Sequence, residues 1–120
     1  MSDVITITGI TGFGYHGVLN SERENGQEFS VDVQLKVDLH PAASTDNLLK
    51  TINYADVADL VHHRIVGEPC NLIERLAEII AHDILSAFDV LQVEVTVHKP
   101  HAPINVPFTD VSVTISRSRA

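Results

Sequence analysis

Several residue types are scarce in this sequence, and each scarcity argues against a class of protein. The single cysteine, Cys70, cannot form an internal disulfide, which excludes a disulfide-stabilised scaffold and favours a reducing cytoplasm. Basic residues number 8 against 16 acidic residues, for a net charge of −8, and they form no cluster suited to nucleic acid. No apolar stretch reaches the ~18 residues of a membrane span, and no signal-peptide pattern is present. We therefore expect a cytoplasmic protein with neither a nucleic-acid nor a membrane partner.

Four segments of the chain have the composition or the alternation of β-strands. A length of 120 residues corresponds to one domain, residues 1–120, that can bury its own core. The predicted strands are residues 4–10, 29–39, 91–99 and 111–116. The second alternates apolar and polar residues without a fault, so at ~3.3 Å per residue it would cross the whole molecule.

Two further segments have the periodicity of amphipathic helices. Asn53 is placed to cap a helix over residues 54–66, which carries an apolar stripe on one side. Asn71 is placed to cap a second helix, whose apolar stripe runs through residues 73–87. Because Glu74 follows three positions after Asn71, the pair also resembles a capping box.

The order of these elements, ββααββ, predicts an α+β fold. Its four-stranded antiparallel sheet would be covered on one face by the two helices. The side chains expected on the other face are all polar: Ser30, Asp32, Gln34, Lys36, Asp38, Gln92, Glu94, Thr96, His98, Ser112, Thr114 and Ser116. One solvated face explains this pattern. Alternatively, sheets from several subunits join into a barrel of about 16 strands, whose water-filled lumen this face would line.

Lys99 lies where the apolar alternation predicts a side chain hidden from water. It follows Val93, Val95 and Val97 at a spacing of two, so it points to the same face as these valines. Pro100 then ends the strand. An ammonium held at the rim of an apolar face loses hydration, which favours its neutral form and suits it to proton transfer. The alternative is a lysine whose stem covers apolar surface while its charge reaches water.

Three other reactive side chains are candidates for a site, and each has an ordinary structural explanation. Glu74 lies in a first helical turn, where a carboxylate and free backbone N–H groups can bind the edge of a guanine-like or pterin-like ring; its alternative role is helix capping. Tyr54 opens the first helix, where its ring could reach a cleft or simply pack. Glu22 lies in a turn-rich loop, where a solvated acid is the ordinary expectation.

The chain as a whole resembles the dihydroneopterin aldolase family. The resemblance rests on five stretches in the family's order: GVLNSERENGQ at 17–27, NYA at 53–55, LIERLA at 72–77, VHKP at 97–100 and API at 102–104. Each stretch is weak by itself. Together they cover nearly the whole length and form a specific signal.

The resemblance implies a reaction and a set of site residues. The family cleaves 7,8-dihydroneopterin by a retro-aldol reaction to 6-hydroxymethyl-7,8-dihydropterin and glycolaldehyde, with some epimerisation to 7,8-dihydromonapterin expected. It uses no cofactor, metal or lysine Schiff base, because the C=N bond of the ring accepts the electrons. By similarity, Lys99 is the general acid/base and Tyr54 assists its proton transfers. Glu74 and the backbone at Ile73 hold the pterin, while Glu22 orients the site near the lysine.

The resemblance also implies an assembly. The family has the tunnelling fold, in which four subunits form a sixteen-stranded barrel and two such rings stack into a homo-octamer. Residues 51–54 are expected to come from a neighbouring subunit, so that the sites lie at subunit interfaces.

Three other functions are possible, and for each of them a feature can be named that would distinguish it. A related epimerase of dihydroneopterin triphosphate would use the same residues, but its substrate calls for a basic cluster. A zinc enzyme is suggested by His62, His63, His98 and His101, but zinc needs three or four converging ligands. A non-catalytic ferredoxin-like assembly module would share the fold and turn over no pterin. Cys70 as a nucleophile lacks a basic partner.

Overall fold

Within its described residues, the chain forms one four-stranded antiparallel sheet whose strands lie side by side in sequence order. This architecture is seen in a computed structural model, which describes residues 3–119. The strands are β1 (Val4–Gly14), β2 (Gln27–Lys36), β3 (Gln92–His98) and β4 (Ser112–Ser118). Each strand pairs with the one that precedes or follows it in sequence, and the predicted α+β fold class is confirmed.

Four helices and one 3₁₀ turn connect the strands. They are α1 (Asn20–Asn25), α2 (His40–Thr45), the 3₁₀ turn (Leu48–Lys50), α3 (Tyr54–Val66) and α4 (Ile73–Ala87). The two long helices were predicted from their periodicity. The short elements were not, because one or two turns are too short to show a helical repeat.

The core lies between one face of the sheet and the helices α3 and α4. β2 and β3 direct fully or almost fully buried side chains to this face: Phe29, Val31, Val33, Leu35, Val93, Val95 and Val97. α3 contributes Val57, Val61 and Ile65, and α4 contributes a stripe that includes Leu76, Ile80 and Ile84. Burying two helical stripes on one sheet face explains why the opposite face can remain polar.

Strand boundaries are where the predictions were wrong. β1 continues to Gly14 instead of ending near residue 10, because a bulge between Ile7 and Ile10 absorbs Gly9, whose φ is 75°. β2 begins earlier than predicted and ends at Lys36, the last residue that is paired with both β1 and β3. Its apolar alternation continues for three more residues, but alternation without a partner strand does not make a ladder. β3 and β4 are shifted by only one or two residues at their ends.

The two predicted helix caps have opposite outcomes. The side chain of Asn53 accepts a hydrogen bond of 3.0 Å from the N–H of Ala55, which confirms its role as N-cap of α3. Asn71 is not the cap of α4, because the helix begins one residue later, after Leu72. Its side-chain oxygen instead accepts a hydrogen bond from Arg23 at 2.6 Å. The predicted capping box of Asn71 and Glu74 is therefore wrong.

The polar face carries a hydrogen-bonded cluster centred on His98. Its Nε2 lies 2.7 Å from Asp32 and its Nδ1 lies 2.7 Å from Asp110. On the same face, the hydroxyls of Thr96 and Thr114 are 2.8 Å apart. Polar side chains on this face thus bond mainly across neighbouring strands.

No helix within residues 3–119 is both long enough and apolar enough to cross a bilayer.

Candidate active site

Lys99 and Glu22 form a close ion pair at one end of the sheet. The Nζ of Lys99 lies 2.6 Å from Oε2 of Glu22, and the two side chains are only 13% and 6% exposed. Lys99 follows directly after β3, and its backbone N–H donates to the carbonyl of Val111 at 2.8 Å, just beyond the β3–β4 ladder. The lysine is therefore held at the rim of the apolar face, as the alternation of β3 predicted.

Glu22 lies in the helix α1 and is 7% exposed, so the expectation of a solvated loop acid is wrong. Its Oε1 accepts from the N–H of Leu19 at 3.3 Å, and its Oε2 accepts from the amide of Gln27 at 3.2 Å. Burial raises the pKa of the Glu22 carboxyl. Hydrogen bonds from Lys99, Leu19 and Gln27, with the positive charge of the lysine, outweigh this and lower the pKa overall. The carboxylate is therefore held ionised against the ammonium.

Gly17 makes room for this carboxylate. Its φ of 149° lies in the region that favours glycine, and a Cβ built there would lie 2.3 Å from Oε1 of Glu22. The N–H of Gly17 donates to the carbonyl of Cys70 at 2.9 Å. Gly17 thus lets the segment that carries Glu22 pass close to the loop that precedes α4.

Glu74 lies in the first turn of α4, only a few residues beyond that loop. Its side chain is exposed, and the preceding Ile73 is buried. Three large apolar side chains in the adjoining segments are exposed: Val18 at 65%, Leu19 at 45% and Leu72 at 53%. An exposed carboxylate beside free N–H groups and apolar side chains is suited to a flat, polar-edged ring.

Tyr54 lies at the opposite end of the sheet from Lys99. It opens α3 beside an apolar cavity of about 400 Å³, whose lining includes Ile5 at the start of β1. The other end of α3 reaches His16 through the carbonyl of Ile65, and at ~1.5 Å per residue this lies about 16 Å from Tyr54 along the helix. A single chain therefore does not bring Tyr54 to the Lys99–Glu22 pair.

Two polar side chains near the pair were missed from the sequence. Gln27 bonds Glu22, and its own Oε1 is buried without a hydrogen-bond partner among the described residues. His16 is fully buried beside the Gly17 turn. Gln27 belongs to a stretch that carried the resemblance, but no spacing rule distinguishes it or His16 from an ordinary polar residue.

A convergent set of metal ligands is absent from the described part of the chain: no three His, Cys, Asp or Glu side chains there could share an ion.

The family model described as dihydroneopterin aldolase matches residues 5–116. A relative of that name from Streptomyces coelicolor is 52% identical over 117 residues, which is 98% of both chains. Another from Bacillus subtilis is 40% identical over 119 residues, covering 98% of this chain and 99% of the relative. The fold is similar to the crystal structure of E. coli dihydroneopterin aldolase in complex with neopterin. That match has a TM-score of 0.89 and 28% identity, and it covers 97% of this chain and 99% of the other.

Proposed function

The chain belongs to the dihydroneopterin aldolase family, and on this premise we propose that it cleaves 7,8-dihydroneopterin in folate biosynthesis with Lys99 as its proton-transfer group. The reaction is a retro-aldol cleavage that yields 6-hydroxymethyl-7,8-dihydropterin and glycolaldehyde. The observation that carries the assignment of Lys99 is its 2.6 Å contact with Glu22, where both side chains are almost hidden from water. The epimerase alternative is not favoured, since the family model and both relatives bear the aldolase name.

Lys99 acts as the general acid/base. In the cleavage, a proton leaves the hydroxyl on the carbon that becomes the aldehyde, and the bond between this carbon and its neighbour on the ring side breaks. The bonding pair moves into the C=N bond of the dihydropterin, and a proton then returns to the carbon that stays on the ring. A lysine held at the rim of an apolar face can carry this proton directly or through water. Glu22, with Gln27 bonded to it, orients the ammonium.

Glu74 and the backbone at Ile73 bind the pterin ring. A carboxylate in the first turn of α4 can accept two N–H bonds from the amino-pyrimidine edge, while a free backbone N–H there can donate to the ring carbonyl. The exposed apolar side chains of Leu19 and Leu72 would cover the flat faces of the ring. The structure of the E. coli relative contains neopterin, which is also a pterin.

Tyr54 reaches this site from a neighbouring subunit. Within one chain it lies at the far end of α3 from the Lys99–Glu22 pair. It is 64% exposed and lines a cavity together with Leu48, which is 63% exposed. This apolar surface around Tyr54 suits an interface with the apolar rim beside Glu22 in another copy. The sites would then form between subunits, with Tyr54 assisting proton transfer to the hydroxyl and to water.

Pairing of the open strand edges between subunits would close the sheet into a barrel. β1 and β4 are open edges within one subunit, and four copies joined edge to edge make a barrel of about 16 strands. The polar face centred on His98 would then line a water-filled lumen. Two such rings stacked together form the homo-octamer, in which one domain, residues 1–120, is the repeating unit. The single free Cys70 suits a reducing cytoplasm.

We also propose that the reaction needs neither a metal nor a Schiff base, since the ring accepts the electrons and Lys99 carries the proton. The test incubates the purified protein with 7,8-dihydroneopterin and excess EDTA and measures glycolaldehyde release. A parallel sample receives borohydride, which would reduce a lysine imine to a stable adduct. We expect full activity with EDTA and no added mass on the protein. Absence of glycolaldehyde would overturn the function, and chelator inhibition or a trapped adduct would overturn the chemistry.

A further inference from the structure

His16 is a fully buried histidine for which the proposed reaction has no use. It lies between the end of β1 and the Gly17 turn and is 0% exposed. Its ring packs edge-to-face against Phe29, with ring centroids 5.0 Å apart. Burying an imidazole among apolar side chains is costly unless both nitrogens are satisfied, so its two hydrogen bonds indicate what it does.

Both nitrogens of His16 bond to backbone groups from other segments. Nδ1 accepts from the N–H of Cys70 at 2.9 Å, and Nε2 lies 2.8 Å from the carbonyl of Ile65. Because a backbone N–H can only donate and a carbonyl can only accept, the ring is neutral with its proton on Nε2. Burial lowers the pKa of His16, and the positive charges of Arg23 and Lys99 lower it further, against the raising effect of the Ile65 carbonyl. The ring is therefore a fixed bridge between three segments.

The loop held by His16 is bonded at two more points to the segment that carries Glu22. The N–H of Gly17 donates to the carbonyl of Cys70 at 2.9 Å. Arg23, next to Glu22, donates to the side chain of Asn71 at 2.6 Å and to the carbonyl of Gly17 at 2.9 Å. The loop 70–72 leads directly into α4, whose first turn bears Glu74. Movement of Cys70 would thus shift Glu74 relative to Glu22.

We propose that His16 is a positioning residue, whose Nδ1 holds the backbone of Cys70 and so sets the spacing between the ring-binding Glu74 and the Lys99–Glu22 pair. This inference rests on the proposed function. In this proposal the bond from Nδ1 to Cys70 serves the geometry of the active site. The bond from Nε2 to Ile65 anchors the end of α3 and serves the stability of the fold. The alternative is that His16 only fills space in the core.

Two substitutions separate these roles because each retains one of the bonds. In His16→Asn the side-chain oxygen lies as many bonds from Cβ as Nδ1, so it can accept from Cys70. In His16→Gln the side-chain nitrogen lies as many bonds from Cβ as Nε2, so it can donate to Ile65 but leaves the Cys70 N–H without its acceptor. Asparagine is the smaller residue and leaves more empty space. If His16 only fills the core, His16→Asn should be the more damaging variant. If His16 positions the loop, His16→Gln should be the more damaging variant.

The experiment measures steady-state kinetics with 7,8-dihydroneopterin and hydrogen exchange of the Cys70 amide. We expect His16→Gln to raise KM about tenfold, the effect of one lost buried hydrogen bond, with a smaller change in kcat and faster exchange at Cys70. His16→Asn should retain a KM within about threefold of the wild type and a protected amide. A lower KM for His16→Gln than for His16→Asn, or equal exchange in both, would overturn the proposal.

The two readouts separate this inference from the function beneath it. If the wild type releases no glycolaldehyde, the proposed function fails, while the contrast in exchange still tests the bridge. If the wild type is active but the variants do not differ, the positioning role fails. Should either variant not fold, Asn71→Ala removes the surface bond to Arg23 and leaves the core intact. We expect its KM to rise about threefold, and an unchanged KM would contradict the coupling of this loop to the site.

Discussion

The Lys99–Glu22 pair should be needed for turnover while being replaceable for stability. The perturbation is a set of three variants: Lys99→Met, Glu22→Gln and the double variant. Each substitution removes a charge and keeps nearly the same shape, so the comparison isolates the ion pair from packing. Because both side chains are almost buried, 13% and 6% exposed, removing one charge leaves the other in a place where water cannot solvate it.

The structure sets the size of the effect. Two unit charges 2.6 Å apart attract by about 6 kcal/mol at an effective dielectric constant of about 20, before the lost hydration of both ions is subtracted. Removing one member of a buried pair costs about 3–5 kcal/mol. We expect each single variant to lower the free energy of unfolding by about 3 kcal/mol, and the double variant to lie within about 1 kcal/mol of the wild type.

The activities of these variants should not follow their stabilities. Loss of a general acid/base lowers the rate by about 10²- to 10⁴-fold, so kcat should fall by this amount in Lys99→Met and remain low in the double variant. The assays are urea unfolding at one fixed protein concentration, because the proposed assembly would stabilise the fold by mass action, and single-turnover release of glycolaldehyde. Additive losses of stability in the double variant would refute the pairing argument. A kcat within about tenfold of the wild type in Lys99→Met would refute the proton-transfer role.

Three further predictions concern the surroundings of the pair. Glu74→Ala should weaken pterin binding, measured by fluorescence titration, far more than it lowers the single-turnover rate; the reverse order would contradict a ring-binding role. Gly17→Ala should lower both stability and turnover, because its Cβ would lie 2.3 Å from Glu22. Gly9→Ala is the matched control, with a φ of 75° and nothing within 4 Å of the added Cβ, so it should lose stability only. Equal turnover in the two variants would disprove that the Cβ added at Gly17 displaces the Glu22 carboxylate. Burial lowers the pKa of His98, but hydrogen bonds to its two carboxylate partners raise it overall. Its contribution to stability is therefore complete below pH of about 6.5 and is lost as the pH rises through the higher folded pKa. Urea midpoints measured at about pH 6 and about pH 8 should differ more in the wild type than in His98→Gln. The same difference in both proteins would exclude a contribution of protonated His98 to stability.

Much of the fold could be predicted because helices and strands have local signatures. The stripe of α3 repeats every three to four residues and its Asn53 cap is adjacent, so both bounds of the helix were predicted correctly. Strand ends were less predictable, since a strand lasts only as long as its partners do. β2 ends at Lys36 although its alternation continues, and β1 passes through Gly9 because a bulge on the paired edge accommodates it.

The candidate site was predictable to a smaller extent. The position of Lys99 at the rim of the apolar face followed from the alternation of β3. The choice of Glu22, Tyr54 and Glu74 came from resemblance, and their roles remain predictions. Asn71 shows the reason for the difference: its spacing to Glu74 fits a capping box, yet Arg23, distant in sequence, binds its oxygen instead.

The sequence by itself determined which stretches become strands and helices, which of their faces are apolar, and that a lysine stands at the end of one such face. These properties depend on neighbouring residues in the chain. Only the tertiary structure decided that Glu22 is buried against Lys99, that His16 bridges Ile65 and Cys70, and that Tyr54 lies at the other end of the sheet. Such contacts join residues from separate segments, and their distances depend on how all the elements pack together.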